Sequence, residues 1–227
     1  MISQHQMTAF SLPDVAGDSL VQEFPYPVVA PRSIETLTLV VQYARIEGLK
    51  VMVLGTGCSF ADNFRLATSK VIAIMTYRLT GMQQVSPLVT RILCGTPLAR
   101  LFTGDAMTER RTLGGLIAGC QPGREAAAGV VASHLLAVDM INAEAKAVRL
   151  AASNTTHVGD PGLANSLFGS QGRAGIITAV EVSRSLPWNL QTESGMNGFM
   201  PSLASHDAAI KRTDVIRLLD PDGLFAW

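Results

Sequence analysis

Residues 51–64, VMVLGTGCSFADNF, constrain this chain more than any other stretch, because an apolar run stops in Gly-Thr-Gly and gives way to small and polar residues. A strand that ends this way exposes backbone N–H groups with no Cβ beside them. Oriented amides of that kind can hydrogen-bond the oxygens of a diphosphate. Gly-x-Gly also occurs in ordinary tight turns, so the loop taken alone allows either reading. The segment before it is well specified. Pro25, Pro27 and Pro31 favour an extended approach, Ser33 is placed to cap a helix, and Glu35 suits its first turn. Leu37, Val40, Val41 and Ala44 recur at helical spacing, and Gly48 sits where a C-cap glycine belongs, so a helix should feed directly into the strand before the loop.

Composition narrows the class. A length of 227 residues suits one large domain or two small subdomains. Hydrophobic residues make up 48% and charged ones 16%, enough to fill a sizeable core and too apolar for disorder over the whole length. Eighteen basic residues balance eighteen acidic ones, which gives no electrostatic reason to expect nucleic acid or an anionic membrane as partner. No apolar run approaches the roughly 20 residues of a spanning helix. The first residues, MISQHQMTAFSLPDVAGD, lack the basic and apolar regions of a secretory signal, and no basic residue precedes Arg32. Cys58, Cys94 and Cys120 are widely spaced without a C-x-x-C pair, which fits neither a disulfide framework nor a zinc site. A reducing cytoplasm is the expected compartment, and no metal is expected.

Along the chain, residues 1–24 read as a loosely held N-terminal arm. Residues 70–75 and 90–94 look like strands, with 80–87 a turn or short strand between them, and Gly95-Thr96-Pro97 opens a short helix. TLGGLIAG, residues 112–119, is a small-residue stretch built for close backbone approach. Residues 135–142 and 145–150 suit a hairpin, 165–169 a short helix and 175–182 a strand. From about residue 187 the chain reads as a polar, irregular tail with one helical stretch near 204–211, ending in the turn signal Asp220-Pro221-Asp222-Gly223. Helices and strands mix without a regular βαβ beat, so the expected class is α+β.

Four stretches now stand in one order: PVVAPRSIETLTLVVQYARIEGLKVMVLGTGCSF, TLGGLIAG, HLLAVDMINAEAKAVRL and LANSLFGSQGRAGIITAVEVSRSLP, followed at the C-terminal end by LLDPDGLF. Together they resemble the FAD-binding domain of the p-cresol methylhydroxylase and vanillyl-alcohol oxidase family, most similarly its glycolate and D-lactate oxidising branch. The resemblance implies two α/β subdomains with the cofactor between them, at about 25–87 and 88–187, and a tail at 188–227 carrying the DPDGLF motif. It implies that the diphosphate lies over Gly55, Thr56, Gly57, Cys58 and Ser59. Thr112, Leu113, Gly114, Gly115 and Gly119 should follow the central part of the flavin, and Gly175 and Ile176 should touch it through backbone atoms.

Departures from the family pattern shape the expectation. Where many members carry a flavin-linked histidine in the first loop this chain has Cys58, so FAD is expected without a covalent bond. Residues 101–112, LFTGDAMTERRT, are short, with Glu109-Arg110-Arg111 in place of a Pro- and Gly-rich approach. Between Pro187 and Asp220 there are only about thirty residues, no room for the substrate-capping domain found there in relatives. The implied function is oxidation of a small hydroxyl-bearing substrate such as a 2-hydroxy acid, by hydride transfer to the flavin. The alternative is a cap-less flavin-domain relic that acts as a binding subunit. A partner subunit or second copy is expected over the open flavin face. No catalytic base is assigned: His5, His134, His157 and His206 read as solvent or turn histidines as readily as acids or bases. Asp139 is either strand-alternation polarity or the partner of a buried donor, and Arg124 either a solvated loop residue or an anion ligand.

Overall fold

Two strong local signals set the first half of the molecule. Ser33 accepts a hydrogen bond from the Thr36 N–H at 3.1 Å and so caps the helix that follows. At the other end Gly48, with φ 63°, donates to the Arg45 carbonyl while Leu49 donates to Ala44, the paired bonds that close a helix in the Schellman manner. In a computed structural model, residues 11–22, 26–58, 70–102, 110–120, 125–152, 162–185 and 206–225 are described. The order is α1 (Leu12–Ala16), a 3₁₀ turn (Gly17–Ser19), β1 (Leu20–Gln22), β2 (Val28–Val29), α2 (Ile34–Ile46), β3 (Lys50–Leu54), β4 (Val71–Met75), β5 (Met82–Ser86) and β6 (Val89–Leu93). A second 3₁₀ turn (Leu98–Arg100) leads to α3 (Leu113–Gly119), α4 (Ala126–His134), β7 (Leu135–Ile141), β8 (Ala147–Ala151), α5 (Gly162–Asn165), β9 (Ile176–Ser183) and α6 (His206–Leu219).

The strands form two sheets, so the class is α+β as expected. Sheet one runs β1-β2-β4-β3, with β4 parallel to both its neighbours. Val71, Ile72, Ala73 and Ile74 are all buried, the unbroken apolar run of a parallel strand covered on both faces. Helix α2 supplies cover through Leu37, Val40, Val41 and Ala44. Sheet two runs β5-β6-β9-β7-β8 and is antiparallel throughout. Its inner face buries Ile92, Val138, Met140, Val180 and Val182. On its outer face Arg91 pairs with Asp139 and Glu181, and Arg149 pairs with the same two carboxylates. Asp139 is thus strand-alternation polarity, and it sits in a cross-strand ion-pair network.

Several elements differ from the sequence expectation or add to it. Residues 11–22 are not loose: Leu12 and Ala16 enter the core, and β1 pairs antiparallel with β2. Strand β5 pairs with β6, so the chain changes sheet between Met75 and Met82. Helix α4 had no sequence signal. Its run AAAGVVASH is apolar on every side, so no 3.6-residue stripe stands out. Helix α5, Gly162–Asn165, ends where the helix expected at residues 165–169 was to begin. The C-terminal end is not irregular, since α6 spans His206–Leu219, and Leu224 and Phe225 are buried. The hairpin is present with a longer turn, in which Asn142 Oδ1 accepts from the Glu144 and Lys146 amides and Ala145 takes φ 57°.

Candidate functional site

Strand β3 ends at Leu54, paired with Met75, and the chain leaves the sheet at Gly55. Residues 55–58 then form one wall of a cavity of about 460 Å³. Arg111, Thr112, Gly114, Gly115, Ala118 and Gly119, on and just before α3, form a second wall. Gln171, Gly172, Gly175 and Ile177 close the third side. Seven of the lining residues are glycines, so much of the wall is bare backbone.

The walls are pressed together by side chains that leave no room for a Cβ. Thr112 Oγ1 accepts the Gly115 N–H at 3.2 Å, capping α3, and would lie 2.6 Å from a Cβ placed on Gly55. The Thr56 hydroxyl donates to the Arg110 carbonyl. Gly172, at φ 75°, packs where a Cβ would come within 3.0 Å of Val53 Cβ. Gly175, at φ 132°, would meet Met140 Cε at 2.5 Å and the Ile141 carbonyl at 2.6 Å. Gly119 differs, since nothing lies within 4 Å of its Cβ position. Among the described residues, the amides of Gly55, Thr56 and Gly57 donate to no backbone carbonyl, and Gly57 turns at φ 82°.

Of the residues expected at the site, Gly55, Thr56, Gly57, Cys58, Thr112, Gly114, Gly115, Gly119 and Gly175 all line this cavity. Ser59 lies outside the described residues. Leu113 and Ile176 are not on the wall; their side chains are buried in the core. Ile177 takes the cavity-facing place. Arg111, Gln171, Gly172 and Thr76 join the wall without having been picked out as site residues. For Gln171 the only signal is its positive φ of 56°, which the sequence does not display.

Arg111 is the one charged side chain on the wall among the described residues. It donates to both carboxylate oxygens of Glu125, at 2.6 and 3.1 Å, and to Cys120 Sγ at 2.9 Å. Burial pushes the Cys120 thiol up to about 11, with Glu125 adding to the shift and Arg111 opposing it, so the thiol stays protonated and donates to Glu125. Cys94, under Gly114, is fully buried and its thiol is pushed up to about 12 by desolvation. Cys58 is exposed at the cavity. His134 ends α4 with Nδ1 3.0 Å from the Val130 carbonyl, off the cavity wall. His5, His157 and Arg124 lie outside the described residues, and His206 opens α6. Among the described residues no cluster of His, Cys, Asp and Glu could hold a metal ion, and no helix is long and apolar enough to cross a membrane.

A glycine-walled cavity between two sheets, fed by a strand-to-loop turn, suits a long cofactor with a diphosphate. The profile described as "FAD binding domain" matches residues 25–151 of this sequence. The chain belongs to the FAD binding domain family. This FAD-binding domain is of the p-cresol methylhydroxylase type, in a family that includes oxidoreductases and other flavin enzymes. Its fold is similar to that of alkyldihydroxyacetonephosphate synthase in two crystal forms, at TM-scores of 0.54 and 0.52 and 19% identity in both. Those alignments cover 71% and 70% of this FAD-binding chain and 32% of the synthase, so the chain spans about a third of the length of these neighbours. At that identity the likeness concerns the fold. No curated protein sequence matches the chain.

Proposed function

We propose that the cavity holds FAD without a covalent bond, and that the chain is the flavin-binding part of an oxidoreductase acting on a small hydroxyl-bearing substrate such as a 2-hydroxy acid. One observation carries the reading: stretches far apart in sequence, 55–58, 112–119 and 171–177, meet around one cavity and present it with backbone. The diphosphate would take the amides of Gly55, Thr56, Gly57 and Cys58, with Ser59 as an added donor. Thr112, Gly114, Gly115 and Gly119 would follow the central part of the flavin, with Gly175 beyond it and Leu113 and Ile176 supporting from the core. Arg111 adds positive charge to the wall, partly offset by Glu125, which favours an anionic group nearby. When bound, FAD supplies the two-electron chemistry, while the chain supplies orientation and electrostatics.

The two sheets correspond to the two subdomains in this reading. Cys58 and Gly119 are exposed at the mouth of the cavity, and a partner subunit or second copy lying over them would shield the ring from solvent. The protein would work in the cytoplasm with its thiols reduced. The test is a spectrum of the full chain, taken after incubation with FAD and again after acid precipitation. The expected result is flavin absorbance that co-purifies with the chain and passes wholly to the supernatant on precipitation. Alkylation of Cys58 should also slow when FAD is present. A colourless chain after added FAD overturns the cofactor assignment, and yellow colour retained in the pellet overturns the non-covalent one. Reduction of an artificial electron acceptor on addition of a 2-hydroxy acid tests the substrate class.

A further inference from the structure

The C-terminal turn, residues 220–225, is held from two sides. The buried Asp220 carboxylate accepts the Leu224 N–H at 2.6 Å on one oxygen and the Phe225 N–H at 3.0 Å on the other. Its own carbonyl accepts the Gly223 N–H at 3.2 Å, and Gly223 takes φ 62°. Wound in this way, the turn delivers the Leu224 carbonyl to the Val51 N–H at 2.8 Å and the Gly223 carbonyl to the Lys50 ammonium at 2.5 Å. Strand β3 is the edge of sheet one, so the turn occupies a strand edge that would otherwise lack a partner. A few residues further on, the same strand becomes the Gly55 loop.

The other side of the segment reaches sheet two. The Leu219 carbonyl accepts the Ala143 N–H at 3.2 Å, in the turn just after Ile141. The Ile141 carbonyl is one of the atoms that pack against Gly175 on the cavity wall, beside Met140 Cε. Val215, Leu219, Leu224 and Phe225 are buried in the core cluster that both sheets share. One segment therefore ties the strand behind the first cavity wall to the hairpin behind the third.

We propose that residues 219–225 are a clamp that sets the spacing of the cavity walls, with Asp220 the positioning residue for the glycine loop, so that clamp closure and FAD binding strengthen each other. This rests on the reading that the cavity holds FAD. Coupling of this kind is reciprocal: if the closed clamp tightens FAD, then FAD must hold the clamp closed by the same factor. A turn that merely stabilised the fold would change FAD affinity no more than a core substitution of equal effect on stability.

The experiment uses the full chain and compares Asp220→Ala with Leu150→Ala, which opens a cavity on β8 outside both the clamp and the FAD cavity wall. FAD affinity is read by fluorescence titration well below either melting temperature, and hydrogen exchange at the Leu224 and Phe225 amides is followed with and without FAD. Asp220→Ala should weaken FAD about tenfold, and FAD should slow exchange at the two amides of the wild-type chain by a similar factor. Leu150→Ala should lower the melting temperature at least as far and leave FAD affinity within about twofold. Equal weakening by both variants, or exchange at the two amides that FAD does not change, overturns the clamp. Where Asp220→Ala does not fold, Asp220→Asn, which keeps one acceptor, is read by the same criteria. If the wild-type chain binds no FAD, the cavity reading and the clamp both fall; if it binds FAD with unaltered exchange, the clamp falls alone.

Discussion

The floor and the mouth of the cavity are both rich in glycine, for opposite reasons. At the floor Gly172 and Gly175 are buried, and a Cβ on either would run into a neighbour: Val53 Cβ at 3.0 Å, and Met140 Cε and the Ile141 carbonyl at 2.5 and 2.6 Å. At the mouth a Cβ on Gly119 meets nothing within 4 Å, and one on Gly57 reaches only Met75 Cε at 3.6 Å. The floor glycines are glycine because other atoms occupy the space. The mouth glycines leave space that a ligand can use. Glycine in a flavin-domain motif thus carries two separate constraints, one on packing and one on binding, and mutation can separate them.

The floor gives the larger effect. Gly175→Ala adds a Cβ against a carbonyl oxygen at a φ of 132°, where L residues are strained, so neither rotation nor side-chain movement relieves it. Overpacking and backbone strain together should cost about 3 kcal/mol. The measurement is the urea midpoint of the FAD-free chain, and a midpoint within error of wild type would show that the floor is looser than described. At the mouth, Gly119→Leu should leave the FAD-free stability within about 0.5 kcal/mol, since the new side chain has open space and leucine favours helix over glycine. The same side chain would project into the proposed FAD volume and weaken FAD about tenfold, near 1.4 kcal/mol. A mouth variant that unfolds the chain, or one that binds FAD as well as wild type, breaks the comparison.

Much of the floor and mouth was legible in the sequence because the signals are local. Ser33, Gly48 and the Gly-Thr-Gly loop act on residues within a few positions of themselves, and the structure keeps the helix, the strand and the turn they specify. What the sequence does not display is direction. TLGG and GIIT read as continuous motifs, yet Leu113 and Ile176 point into the core while their neighbours face the cavity. Pairings between separate segments were equally hidden. Arg111 meets Glu125 only because α3 and α4 fold back, and Asp220 winds a turn onto β3 from the far end of the chain. Helix α4 was invisible for another reason, since an alanine-rich run that is mostly apolar sets no clear period.

The smallest predicted effect lies at the opposite end of β9 from Gly175 and tests whether cavity and outer face are independent. Glu181 faces away from the core, bonded to Arg149 and close to Arg91. The hydrogen bond from Arg149 holds its carboxyl below the ordinary value of 4.5, against a smaller opposing effect of burial. A depressed folded-state pKa means that Glu181 contributes stability above about 4.5, and that the contribution is lost as pH falls through the lower folded value. Glu181→Gln removes this titration. Its stability should therefore fall less than that of wild type between about pH 6 and about pH 3, measured by thermal melting across that range. FAD affinity at neutral pH should not change, because the carboxylate acts on the solvent side of sheet two and the cavity opens beyond the other end of the strand. A Glu181→Gln chain that matches the wild-type acid profile would remove the ion-pair network from the account of stability. One that loses FAD would show that the strand transmits strain from its outer face to Gly175, and the cavity floor could no longer be treated as a separate packing constraint.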